Sequence, residues 1–190
     1  MTGIILFRAQ PFHNGHLSQI KRAYKEMESA DGDLYVIVGS ADKFGTKRNP
    51  IPIDVRLDLI SNTLRDEYTD EELRRIKVVP LNDLSDEANN SYSWGEYLYE
   101  KLCHITGDKN FVFYYSDKPE IALSWFPGSI RDHIWFRFLS RSGNICATAV
   151  REHIMSLSDD AQESLKKELP FYVYGRISEL HNYIARREDQ

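Results

Sequence analysis

Short apolar runs alternate along the chain with longer segments in which apolar residues recur every three or four positions. Residues 4–7 (Ile-Ile-Leu-Phe) and 34–38 (Leu-Tyr-Val-Ile-Val) are apolar throughout, the pattern of parallel strands covered on both faces. Residues 76–79, 111–115 and 134–139 predict three further strands. Between them the spacing predicts helices. One covers 16–30, with Leu17, Ile20, Tyr24 and Met27 on one face; a second contains Val55, Leu59 and Ile60 and ends near Tyr68; a third is marked by Trp94, Tyr97, Leu98 and Leu102. Residues 39–53 read as a loop. Beyond 146 the character changes, and 147–155, 159–169 and 172–187 read as helical with no further strand.

Strand–helix alternation with short connections predicts an α/β fold, a Rossmann-like doubly wound parallel sheet with right-handed crossovers. The helical stretches at the end add a C-terminal cap. The expected organisation is a single domain over 1–190, with 156–190 as its helical C-terminal part. Ligands of such sheets lie at the carboxyl ends of the strands, so the loops after Phe7, Val38 and Tyr115 are the candidate sites. The aromatic run Trp135, Phe136 and Phe138 is expected in the core.

Composition narrows the picture only a little. The 190 residues carry a net charge of −5, and no apolar stretch approaches the roughly 18 residues that span a bilayer. The first residues lack the basic start and long apolar run of a secretion signal, so a cytoplasmic, globular protein is expected. Two cysteines, Cys103 and Cys146, build neither a disulfide framework nor a four-cysteine zinc site. Cys103 and His104 are adjacent on a predicted helix and point apart, so they do not form a nucleophile–base pair. An acidic chain without a basic block argues against a nucleic-acid partner but leaves room for a small anion.

The most informative string is His13-Asn14-Gly15-His16, between the first strand and the first helix. Glycine at a helix start lets a ligand approach the backbone, and the free N–H groups and dipole there favour an anion. Two imidazoles beside it could donate to a phosphate. A capping histidine or an exposed pair accounts for the same residues, and both readings stand on the string alone. A zinc site lacks further ligands at metal spacing.

Arg8-Ala9-Gln10-Pro11-Phe12-His13-Asn14-Gly15-His16-Leu17 resembles the signature of the nucleotidylyltransferase superfamily, and most closely the archaeal-type nicotinamide-nucleotide adenylyltransferases. Ala9 stands where that string has Phe. Gly39-Ser40-Ala41-Asp42, Thr46 and Asn49-Pro50 resemble the family's second loop, and Asn82-Asp83 with Trp94 resemble residues placed around the pyridine nucleotide. Ile145-Cys146-Ala147-Thr148-Ala149-Val150-Arg151 resembles Ile-Ser-x-Thr-x-x-Arg, with Cys146 in place of the usual serine. The resemblance spans about residues 3–155 and implies one transferase domain with no second activity.

It also implies the transfer of AMP from ATP to nicotinamide or nicotinate mononucleotide, giving NAD or its deamido form and pyrophosphate. His13, His16, Arg8 and Arg151 are then the catalytic group. Phe12, Gly15, Thr148, Ser116, Asp117 and Lys47 are the ATP contacts, and Gly39, Ser40, Asn49, Asp83 and Trp94 the mononucleotide contacts. Lys47 reads equally as a solvated lysine, Ser116-Asp117 as a turn, and Trp94 as a core residue packed with Leu98. Mg²⁺ is expected to arrive with ATP, held by phosphates and water. A homo-oligomer is implied, with no membrane partner. The alternatives are the same transfer to another phosphorylated acceptor, such as phosphopantetheine or FMN, and a nucleotide-binding regulatory module without turnover.

Overall fold

The computed structural model describes residues 1–84, 92–116, 124–141, 143 and 145–186. Five strands form one all-parallel sheet: β1 (Thr2–Phe7), β2 (Asp33–Val38), β3 (Ile76–Pro80), β4 (Phe111–Tyr115) and β5 (Ile134–Phe138). Their order across the sheet is β3-β2-β1-β4-β5. The helices are α1 (Asn14–Ser29), α2 (Ile53–Glu67), α3 (Asp70–Leu73), α4 (Tyr92–Thr106) and α5 (Gly128–Arg131), followed by α6 (Ala147–Ser156), α7 (Asp159–Glu168), α8 (Phe171–Tyr174) and α9 (Ile177–Ala185). This is the doubly wound Rossmann-like arrangement that the alternation predicts.

Because successive strand residues point to opposite faces, the apolar strands feed two cores. Ile5, Val36, Val112 and Tyr114 pack with Ile20 and Met27 of α1 and Leu59 and Ile60 of α2. Val150, Ile154, Leu165, Leu180 and Ile184 of the C-terminal helices belong to the same cluster. On the other face, Ile4, Ile37 and Phe113 meet Trp94, Leu98 and Leu102 of α4, with Phe126. Register then fixes the site. Phe7 pairs with Val38, so the chain leaves β1 and β2 side by side, and β4 adjoins β1 through Gly3–Val112 to Ile5–Tyr114. The strand order reverses between β1 and β4, where doubly wound sheets open a crevice.

Two expectations are corrected. The helix read over 172–187 is two, α8 and α9, and 187 lies outside the described residues. The chain turns at Gly175 and Arg176, where the Arg176 amide bonds back to the Val173 carbonyl at 3.0 Å. The Arg176 guanidinium meanwhile reaches Asp58 on α2 at 2.7 Å and Tyr172 at 3.1 Å. Trp135 and Phe138 are not core residues: they are 55% and 54% exposed. β5 is an edge strand with one neighbour, so its outer positions are less covered than those of the central strands; of its three aromatic residues Phe136 packs inward, against Phe113 and Phe126, beside the buried Ile134.

Among the described residues no helix is long and apolar enough to cross a membrane. α4 is seated by a close backbone approach, since a Cβ on Gly95 would stand 1.7 Å from the Trp125 carbonyl oxygen. Gly95→Ala is therefore expected to lower the unfolding free energy by about 1–3 kcal/mol through overpacking. Urea unfolding followed by circular dichroism measures this, and an unchanged midpoint would contradict the seating.

Candidate active site

Between β1 and α1 the chain makes a tight turn through Arg8, Ala9 in the left-handed region (φ 53°), and a cis Gln10–Pro11 bond. It ends at His13, the N-cap of α1, in extended backbone, whose Nδ1 accepts from the His16 amide at 3.4 Å. A neutral imidazole that accepts at Nδ1 carries its proton on Nε2, so that N–H is the one left to donate. The His13 and His16 rings stack with centroids 3.7 Å apart. Phe7 (4.5 Å) and Phe12 (5.7 Å) line the far side of His16. Phe12 is fully buried, and its ring backs the histidine. Gly15 is required by the same packing, because a Cβ there would sit 2.9 Å from the His13 ring.

Burial holds His13 down at about 4, with Arg141 adding to the effect. His16 is held well below its ordinary value by burial, then by His13 and Arg141. Both rings are neutral at pH 7. The His16 Nδ1 is buried without a hydrogen-bond partner.

The second wall comes from the start of α6. Cys146 is its N-cap and makes no side-chain capping bond. The Ile145 carbonyl oxygen lies 3.7 Å from where a Gly15 Cβ would stand, so the two helix starts adjoin. Arg151 reaches back across the gap: Nη1 donates to the Gln10 carbonyl at 2.6 Å and Nη2 to Thr148 Oγ1 at 3.2 Å. Thr148 is exposed beside it. Arg141 follows β5, on a loop held by Arg22, which donates to the Ser140 carbonyl at 2.8 Å.

The third wall is the loop after β2. The Gly39 amide bonds to the Phe7 carbonyl at 3.0 Å. Ser40 takes a left-handed conformation (φ 50°), which costs about 1–2 kcal/mol. Its hydroxyl donates to Asp83 at 3.1 Å, and the Asp83 amide donates to Asp42 at 2.9 Å. Asn49 is buried with its Oδ1 unpartnered, and its amide donates to Thr46 at 3.1 Å. Gln10 clamps this loop to the first: its Nε2 donates to the Ile51 carbonyl at 3.0 Å and its Oε1 accepts from the Ile51 amide at 2.9 Å.

The turns after β1, β2 and β3 and the start of α6 thus bring together Arg8, His13, Gly15, His16, Gly39, Ser40, Asn49, Asp83, Thr148 and Arg151. Lys47 is exposed on the second loop. Ser116 is half-buried just past β4, and Asp117 lies outside the described residues. Trp94 is not part of the group: it is buried in the α4 core against Tyr97 and Trp125, as its spacing with Leu98 allows.

Four residues escaped the sequence reading. Gln10 was part of the quoted string without a role. Arg48 and Arg141 bear on the site electrostatically, Arg48 on Arg8 and Arg141 on both histidines; Arg8 is also lowered by burial, chiefly, with Asp83 opposing. Arg56 is fully buried and binds the Arg8, Gly39 and Ser40 carbonyls. Its signal was present: it precedes Leu59 and Ile60 by three and four positions, a charge on an apolar helix face.

A nicotinamide-nucleotide adenylyltransferase of Saccharolobus solfataricus is 35% identical over 82 residues, which is 43% of this chain and 44% of that protein. A bifunctional NMN adenylyltransferase/ADP ribose pyrophosphatase from Francisella tularensis shares the fold at TM-score 0.73 and 16% identity, covering 97% of this chain and 52% of that one. The same protein complexed with AMP and a manganese ion superposes at TM-score 0.68 and 17% identity, with 97% and 52% covered. The matched stretches span about half the length of these relatives. The cytidylyltransferase-like family profile matches residues 8–152, three quarters of the chain and all three walls of the cleft, and the chain belongs to that family.

Proposed function

We propose that this chain is an adenylyltransferase that moves AMP from ATP to nicotinamide mononucleotide, or to nicotinate mononucleotide, releasing pyrophosphate. The observation that carries the reading is the reach of Arg151 from α6 onto the Gln10 carbonyl, at 2.6 Å, beside two stacked neutral histidines at the start of α1. Cations and N–H donors from two helix starts converge there, as a triphosphate requires.

The nucleophile in this transfer is a phosphate oxygen, already ionised at neutral pH, so no general base is needed. The residues act by positioning and by countering charge on the α-phosphorus and the leaving pyrophosphate. His13 donates through Nε2, His16 lies against it, and Arg8, Arg141 and Arg151 supply positive charge. Thr148 and the first amides of α6 add donors. On the other side Ser40, Asp83 and Asn49 offer polar groups to the mononucleotide. The described residues include no cluster of three or more His, Cys, Asp or Glu able to hold a metal. In this reading a divalent ion, Mg²⁺, enters as part of the metal–ATP substrate, held by phosphates and water. The reading extends to a single domain over 1–190 that works in the cytoplasm as a homo-oligomer, without nucleic-acid or membrane partners.

Incubation with ATP and Mg²⁺ plus each pyridine mononucleotide is expected to yield the dinucleotide and pyrophosphate, measured by chromatography; no product with either acceptor overturns the reading. His16→Ala is expected to lower turnover at least about tenfold with the fold intact by circular dichroism. Unchanged turnover would remove His16 from the mechanism.

The histidines also make stability depend on pH. Their pKa values in the folded protein are depressed, so the unfolded chain binds more protons below about 6.5. Stability is expected to be full above that pH and to fall on acidification, for His13 until about 4, by up to about 1.4 kcal/mol per pH unit for each ring. His13→Asn retains a capping oxygen but not the titrating ring, so its chemical unfolding curves should show a shallower slope between pH 6.5 and 5. An identical slope would mean that His13 is not held neutral.

A further inference from the structure

The two substrates of the proposed reaction would sit on different turns, the ATP phosphates by the turn after β1 and the mononucleotide by the turn after β2. Transfer requires the attacking oxygen and the α-phosphorus to be held at roughly 3–3.5 Å and in line. Something must therefore fix one turn against the other.

Besides the Gln10–Ile51 clamp, which holds the far end of the second loop, one buried cation bonds to both turns where they leave their strands. Arg56, fully buried near the start of α2, donates from Nη1 to the Arg8 carbonyl and to the Gly39 carbonyl, and from Nη2 to the Ser40 carbonyl, each at 2.8 Å. Two of these carbonyls directly precede the left-handed residues, Ala9 (φ 53°) and Ser40 (φ 50°), at which each turn departs from its strand. Among the described residues Arg56 makes no ion pair. An arginine kept only to fill the core would do so at the expense of desolvating its charge, which an apolar side chain of similar volume avoids. Its planar fork instead joins three oxygens of two separate turns in one rigid group.

We propose that Arg56 is a positioning residue that couples the ATP half of the cleft to the mononucleotide half. The inference rests on the adenylyl-transfer reading for what the two halves bind. Arg56 does not touch substrate. Ordering Arg8 against a nucleotide tightens the Arg8 carbonyl on Nη1, and the same guanidinium carries that order to Gly39 and Ser40.

The test has two arms. In the wild-type chain, a non-hydrolysable ATP analogue alone is expected to slow backbone hydrogen exchange in residues 39–43, with no mononucleotide present. In Arg56→Lys, which keeps the charge but loses the fork, the analogue is expected to bind without slowing exchange there. The variant's kcat should fall at least about tenfold, while KM for each substrate stays within about threefold. Protection of residues 39–43 that survives in Arg56→Lys overturns the proposal, as does an unchanged kcat or a loss confined to KM. Should the variant not fold, the wild-type arm decides: an analogue that binds without protecting 39–43 overturns the coupling. A wild-type chain that makes no dinucleotide refutes the adenylyl-transfer reading instead, and the exchange arms still report whether Arg56 joins the two turns.

Discussion

Arg56 enters the interior as a cation and meets only carbonyl oxygens, those of Arg8, Gly39 and Ser40. Desolvating such an ion costs several kcal/mol even in a relaxed protein. Charge-assisted bonds, about 1.5–3 kcal/mol each, offset that cost only while all three acceptors stay in place. Burial lowers the guanidinium to about 10, Asp83 opposes the shift and Arg8 adds to it, so the group remains charged at neutral pH. The two turns of the cleft are thereby held to one geometry, since the Arg56 Nε is already buried without a partner and movement of either turn would strand a further donor. The left-handed conformations of Ala9 and Ser40 are tolerated within this lock and within the Gln10–Ile51 clamp.

The same arrangement explains the state of the histidines. Arg8, Arg48, Arg141, Arg151 and Arg56 gather around the ends of β1 and β2 in a chain whose net charge is −5. Burial is the chief penalty on protonating the rings, and Arg141 among these permanent cations adds to it. Neutral imidazoles are nonetheless useful to a polyanion. Each has one N–H to give, and an arriving phosphate would favour the charged form and strengthen the bond. The cleft is thus poised toward negative charge by its arginines and kept stable at neutral pH by its uncharged histidines.

Much of this was legible in the sequence because periodicity and motif position are local signals. The five strands fall within about two residues of their predicted bounds, and the turns that gather the candidate residues follow the carboxyl ends of β1 and β2. What escaped depends on three dimensions. Trp135 and Phe138 have the composition of a core strand, and only the strand order shows that β5 is an edge. The break at Gly175 and Arg176 coincides with bonds from Arg176 to Asp58, more than a hundred positions upstream, which no local pattern contains. Phe12 and Trp94 carry the right ring chemistry for a ligand, yet both are buried, one behind His16 and the other under α4. Arg56 was hidden by the opposite habit, since an arginine in an amphipathic helix is ordinarily read as solvated.

α2 links the site to a region of the chain that carries no motif. Asp58 follows Arg56 by two residues, about 200° around the helix, so the two side chains leave on opposite sides. Arg56 points into the cleft turns, while Asp58 accepts from Arg176 at 2.7 Å and from the Tyr172 hydroxyl at 3.1 Å. Arg176 is itself held by Glu179 and lies over the Tyr172 ring. The helix that positions both turns is therefore braced from behind by α8 and α9. On the other flank, Asn14 at the start of α1 donates to the Lys167 carbonyl of α7 at 2.8 Å. Helices α7, α8 and α9 thus touch the supports of both turns, and among the described residues none of the gathered site residues lies on them. Their inner face, including Val173, Leu180 and Ile184, joins the main core. A cap that works through α1 and α2 in this way leaves architecture as its only trace in the sequence.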